Sequence, residues 1–247
     1  MMKYLTFFLT SVIMVSFSSC SNTTDEKADI EESTETEEAA TADEWIWLFD
    51  GHSTDGWRGF NGEELPSGWV LEEGTLKSLG QGGDIGGDII YAEREFENFE
   101  LYMEWKVSTA GNSGIFYHVQ EGEKYHAPYE NAPEYQLLDD LGYPDPLEEW
   151  QKLASDYAMY SAPADKPIKP AGEWNTSRIV FTPEKVSYFL NGIMVVEFVP
   201  WSDDWHERRK KGKWADVEDY GKAKTGFIGL QDHGSFIWFK NIKIKEL

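Results

Sequence analysis

The chemistry this chain can offer is concentrated in a few polar clusters set among strand-like apolar residues. In Pro133-Glu134-Tyr135-Gln136-Leu137-Leu138-Asp139-Asp140, a period of two puts Glu134 and Gln136 on one face and Tyr135 and Leu137 on the other. Such a pair is either part of a solvated outer face or the floor of a concave cleft. In a cleft, the carboxyl can move a proton and the amide can bind a hydroxyl. Asp139 reaches that side only through a bulge or a strand end.

Three further clusters are polar in the same way. Gly229-Leu230-Gln231-Asp232-His233-Gly234 ends a strand in a turn that carries an acid beside a histidine. There Asp232 either holds an imidazole tautomer or caps its own backbone. Along Asn112-Ser113-Gly114-Ile115-Phe116-Tyr117-His118-Val119-Gln120, parity groups Phe116 with His118 and Gln120. His118 is then either a ligand-facing residue or a hydrogen-bonded structural one. Gly172-Glu173-Trp174-Asn175 sets an acid, a flat ring and an amide just ahead of a strand. The sequence holds no GxSxG, HExxH, P-loop or strand-linked GxGxxG pattern.

The elements that must hold these residues are mostly strands. Phe99–Val107 alternates without a break, and Ile115–Gln120, Glu134–Leu138, Arg178–Phe181, Val186–Leu190, Ile193–Phe198, Phe227–Leu230 and Phe236–Ile244 also read as strands. Asn191-Gly192 marks a tight hairpin, because both residue types accept positive φ. Helices are expected only at Asp145–Asp156 and Asp203–Lys211. The closing strand is apolar on both faces over its first half, with Phe236, Trp238, Lys240, Ile242 and Ile244 on one side. It is therefore expected to be central and buried between the sheets. Without βαβ alternation, the fold class is all-β: a mostly antiparallel two-sheet sandwich with minor helix, forming one domain over residues 45–247.

The amino terminus reads as an address. Lys3 precedes an apolar run from Tyr4 to Phe17 and then Ser18-Ser19-Cys20. The run is shorter than the ~20 residues needed to cross a bilayer, and it has the shape of a signal peptide over residues 1–20. It resembles a lipoprotein signal, which implies lipidation at Cys20, export, and a membrane-anchored domain on the periplasmic or outer-surface face. Residues 21–44 carry ten acids against Lys27 alone and no aromatic ring. That composition is read as a disordered tether.

Composition excludes several classes. A net charge of −23 argues against nucleic acid as a partner, since phosphate binding relies on Lys and Arg. One cysteine permits neither an internal disulfide framework nor a Cys-based zinc site. No cofactor or metal site is expected. A divalent cation would have many acidic oxygens available, but no EF-hand spacing appears. The 11 Trp, 12 Tyr and 14 Phe are divided between a β core and flat platforms suited to sugar rings.

Taken in order, Leu48-Phe49-Asp50-Gly51 with Gly56-Trp57, Gly111-Asn112-Ser113-Gly114-Ile115-Phe116 and Glu134-Tyr135-Gln136-Leu137-Leu138-Asp139 form the first half of a pattern. Gly172-Glu173-Trp174-Asn175, Leu190-Asn191-Gly192 and Gly229-Leu230-Gln231-Asp232-His233-Gly234 complete it. The pattern resembles the 3-keto-disaccharide hydrolase family over Trp45 to Leu247. The resemblance implies a concanavalin A-like jelly roll whose concave sheet binds carbohydrate. It also implies a glycoside or disaccharide substrate already oxidised at C3 by a sugar 3-dehydrogenase.

A C3 ketone acidifies the C2 hydrogen, so a base can form an enolate and expel the C1 substituent, after which water adds back. Glu134 and His233 are the expected proton-transfer groups, with Asp139 orienting or sharing that role. Asn112 and Gln136 are expected to donate to substrate oxygens, with His118, Tyr160 and Trp174 also placed at the sugar cleft. A non-catalytic surface carbohydrate-binding lipoprotein and a conventional two-carboxylate glycosidase are the competing readings.

Overall fold

Alternation becomes structure most directly in β6 (Phe99–Val107). Phe99, Leu101, Met103, Trp105 and Val107 are buried there, while the residues between them are half-buried on the other face. The structure is a computed structural model that describes residues 44–82 and 87–247. Cys20, the signal-like segment and the acidic tether up to residue 43 lie outside the described residues.

Two antiparallel sheets form the sandwich. The larger one runs β11 (Ile193–Phe198), β10 (Lys185–Leu190), β9 (Asn175–Thr182), β6, β13 (Phe236–Glu246), β4 (Thr75–Leu79) and β3 (Trp69–Glu72), and β1 (Ile46–Phe49) also pairs with β13. The smaller one runs β2 (Trp57–Gly59), β5 (Ile89–Phe96), β12 (Gly226–Leu230), β7 (Asn112–Val119) and β8 (Glu134–Leu138). Non-sequential neighbours in both sheets give the crossing connections of a jelly roll. The core lies between them. Tyr117 of the small sheet meets Phe99 edge-on at 5.9 Å, and Tyr135 meets Tyr188 at 5.0 Å. The Tyr117 and Tyr188 hydroxyls share a hydrogen bond of 2.8 Å within this apolar layer.

The hairpin forms as read: Asn191 and Gly192 both take positive φ, at 48° and 82°, and join β10 to β11. The closing strand β13 is central, bonded to β6, β4 and β1. It is not buried on both faces, however, since Phe236 is 47% exposed. Its parity also breaks. Asn241 takes φ 51° at a register shift between Lys240 and Lys243, so Ile237, Phe239, Ile242 and Ile244 all turn inward.

Helix α1 (Asp203–Lys211) begins where expected, with Ser202 Oγ accepting the Trp205 N–H at 3.3 Å. The expected helix at 145–156 is instead a single 3-10 turn at Glu149–Gln151. Tertiary pairing accounts for the difference. Gln136 N–H donates to the Ser155 carbonyl and Tyr157 N–H to the Glu134 carbonyl, so this stretch lies along the free edge of β8. Ala154, at φ 64°, ends any helical path just before it.

Candidate active site

Strands β7 and β8 build the floor of the site. Gly114 pairs with Gln136 and Phe116 with Glu134, while Tyr135 and Leu137 point into the core. Glu134 and Gln136 are therefore left on the outer face of the small sheet. There they line a cavity of about 350 Å³ together with Asn112, Gln231 and His233. Its remaining walls are Tyr129, Tyr157 and Lys213. The loop after α1 brings in Lys213, whose Nζ lies 4.4 Å over the Tyr157 ring. The strip along the β8 edge brings in Tyr157, and the 3-10 turn Pro128–Glu130 brings in Tyr129.

Electrostatics make this floor unusual. Burial pushes the Glu134 carboxyl up to about 8, and the charges of Asp88 and Asp156 add to the rise. Lys213 opposes it, because an ammonium favours the carboxylate. Desolvation lowers the Lys213 ammonium's own value, and Glu134 partly offsets the loss. The pair sits where proton affinity can be adjusted by whatever fills the cavity.

Two acceptors in the same cavity have no hydrogen-bond partner: Asn112 Oδ1 and Gln136 Oε1 are both buried and unpaired. Gln136 is oriented by donation from Nε2 to the Gln151 carbonyl at 3.0 Å, so its oxygen has a set direction. An unpaired buried acceptor costs about 1–3 kcal/mol, and a ligand hydroxyl would relieve it. The unpaired atoms are acceptors, whereas the sequence reading expected these two amides to act as donors.

Not every expected site residue reaches this cavity. Asp139 is buried at the end of β8 with its oxygens accepting from Ala110 N–H at 2.9 Å and Gly142 N–H at 3.1 Å. It pins two loops. His118 turns into the core, because its φ of 56° forms a bulge that reverses the parity read from sequence. Its ring packs 4.5 Å from Phe181, its Nε2–H donates to the Glu97 carbonyl at 2.8 Å, and burial lowers its value to about 4.

Tyr160 stacks on Phe198 at 4.4 Å and donates to Asp204, beside α1. Trp174 lies under Lys240, whose Nζ is 4.1 Å from the ring, and is not among the cavity residues. Asp232 does not hold His233. Its oxygens cap the Gly82 and Gly234 amides at 3.0 and 2.9 Å.

The chain matches a known lineage. A family model for 3-keto-alpha-glucoside-1,2-lyase-like domains matches residues 44–245. The chain belongs to this family. A 3-keto-disaccharide hydrolase from Bacteroides thetaiotaomicron is 39% identical over 232 residues, covering 83% of this chain and 79% of that one. A crystal structure from Parabacteroides distasonis, named only provisionally as a glycosyl hydrolase, is 42% identical with TM-score 0.76. The match covers 82% of this chain and 94% of that one. A second structure from the same organism, named in the same way, is 26% identical with TM-score 0.63 and covers 83% and 100% respectively. As a member of the 3-keto-alpha-glucoside-1,2-lyase-like family, the chain is a carbohydrate-cleaving hydrolase.

Within this family member, sequence reasoning passed over Lys213, Tyr157, Tyr129 and Asp88. Lys213 stands in Lys210-Lys211-Gly212-Lys213, which reads as a solvated charge run. Tyr157 falls one residue beyond the segment read as helix. Only tertiary pairing brings either one to Glu134. Among the described residues, no group of three or more His, Cys, Asp or Glu side chains is arranged to hold a metal ion.

Proposed function

We propose that this enzyme cleaves glycosides bearing a C3 ketone, by proton abstraction at C2, elimination at C1 and rehydration. The observation that carries the reading is the Glu134 carboxyl, buried at the floor of a cavity that Lys213 also lines. A base with a value near 8 suits a hydrogen acidified by an adjacent carbonyl. The Lys213 ammonium favours negative charge, and so suits the enolate oxygen formed at C3.

In the forward step Glu134 takes the C2 proton, the electron pair passes into the C2–C3 enolate, and the C1–O bond breaks. His233, at the cavity mouth, gives a proton to the departing oxygen. Water then adds at C1 of the enone, returning a proton to His233, and C2 regains its proton from Glu134. Hydroxyls of the sugar donate to Asn112 Oδ1 and Gln136 Oε1. The net change is hydrolysis, without the paired carboxylates of ordinary glycosidases. The product name of the Bacteroides thetaiotaomicron relative supports the same substrate class.

The substrate requires prior oxidation of a C3 alcohol, so a sugar 3-dehydrogenase must act before this enzyme. The lipoprotein-like segment ending at Cys20 supports an exported, membrane-anchored site of action. Assaying matched oxidised and unoxidised glycosides tests the reading. Cleavage confined to the oxidised member is expected, and equal cleavage of the unoxidised glycoside would replace this route with a conventional glycosidase.

A further inference from the structure

Beside the reaction cavity lies a second chamber of about 450 Å³, which shares Tyr129, Gln231 and His233 with it. Its other walls divide into two chemistries. Phe60, Pro66 and Pro128 supply apolar surface, and Asp88 and His126 supply polar groups. A pyranose ring has the same division, with an apolar C–H face and a rim of hydroxyls. Each chamber has a volume in the range of a small-ligand site.

The polar side is built rather than incidental. Asp88 is held from behind, with Oδ1 accepting the Asp232 N–H at 2.9 Å. Asp232 is fixed in turn by its two backbone caps. Burial raises the Asp88 carboxyl to about 7, so a hydroxyl can either donate to it or accept from it near neutral pH. Phe60 is set by its own N–H, which donates to the Asp88 carbonyl at 2.9 Å, so the apolar and polar walls are bonded to each other.

We propose that this chamber is the leaving-group subsite and that it is shaped for a second sugar ring. Phe60 and Tyr129 bracket the ring face, and Asp88 and His126 bind its hydroxyls. The shared residues then mark where the scissile bond lies. His233, which lines both chambers, stands at the glycosidic oxygen, with the 3-keto ring over Glu134 on one side and the departing ring on the other. This assignment rests on the C3-ketone reading above.

The test compares kcat/KM on a 3-keto-disaccharide with that on the corresponding methyl 3-keto-glucoside, which lacks the second ring. Wild type, Phe60→Ala and His126→Ala are measured on both. His126 is exposed, so its variant does not depend on core packing. The disaccharide-to-methyl ratio is expected to fall roughly tenfold in each variant, the loss of about one stacking or hydrogen-bonding contact. Equal losses on both substrates, or no loss on either, would overturn the subsite. A wild type inactive on every oxidised glycoside would instead overturn the C3-ketone reading, and the subsite with it.

Discussion

Gly114 lies directly against the Glu134 carboxyl, so that a β-carbon built at position 114 would stand 2.2 Å from Oε1. The atom it would meet is the far end of a side chain, which can move. Gly114→Ala is therefore expected to fold while displacing the carboxyl from its place on the cavity floor. A displacement near 1 Å costs about 10²-fold in rate. Melting temperature and kcat measured together check this, with the first nearly kept and the second lost.

Neighbouring charges set how readily Glu134 gives up its proton, and the signs are opposite for two of them. The ascending limb of the wild-type kcat/KM–pH profile is expected near pH 8, where the buried carboxyl ionises. Lys213→Met removes the opposing cation and should move this limb to higher pH. Asp88→Asn removes a like charge and should move it to lower pH. A pH–rate profile on the methyl 3-keto-glucoside reads both shifts.

Glu134 also couples stability to pH. Its value is raised from 4.5 to about 8 on folding, so the fold holds the proton more tightly than the unfolded chain does. That contribution is complete below about 4.5 and is lost as pH rises through about 8. Glu134→Gln keeps a neutral side chain at every pH. It should melt higher than wild type at pH 9, and the difference should shrink toward pH 5.

His118 has the opposite sign. Its value falls from 6.5 to about 4 because burial disfavours the imidazolium. The native state thus binds fewer protons than the unfolded chain between these values, and stability declines as pH drops through that window. His118→Gln retains a donor for the Glu97 carbonyl but does not titrate. Its melting temperature should therefore change less than that of wild type between pH 6.5 and 4.

The parts of the molecule legible in sequence were those governed by local pattern. The edges of β6, β8, β11 and α1 follow from periodicity and capping, and the Asn191-Gly192 turn from φ alone. Glu134, Gln136, Asn112 and His233 line one cavity, where the parity of β7 and β8 and the turn after β12 place them.

What escaped depended on tertiary geometry. The bulges at His118 and Asn241 reverse parity by one residue, which no alternation pattern announces. The short strands before Phe96, such as Trp57–Gly59, have too few residues to show a period. Asp139 was misplaced because an acid at a strand end looks the same whether it faces a cavity or caps two loop amides. Tyr160 and Trp174 were misplaced because an aromatic ring can pack on either exterior.

Glu134 as the group that moves the C2 proton is tested most directly by the single-turnover rate of Glu134→Gln on a 3-keto-disaccharide, with substrate binding measured in parallel. Binding should persist while the rate falls by about 10²–10⁴, the usual contribution of a general base. A variant that binds and turns over at the wild-type rate would contradict the account.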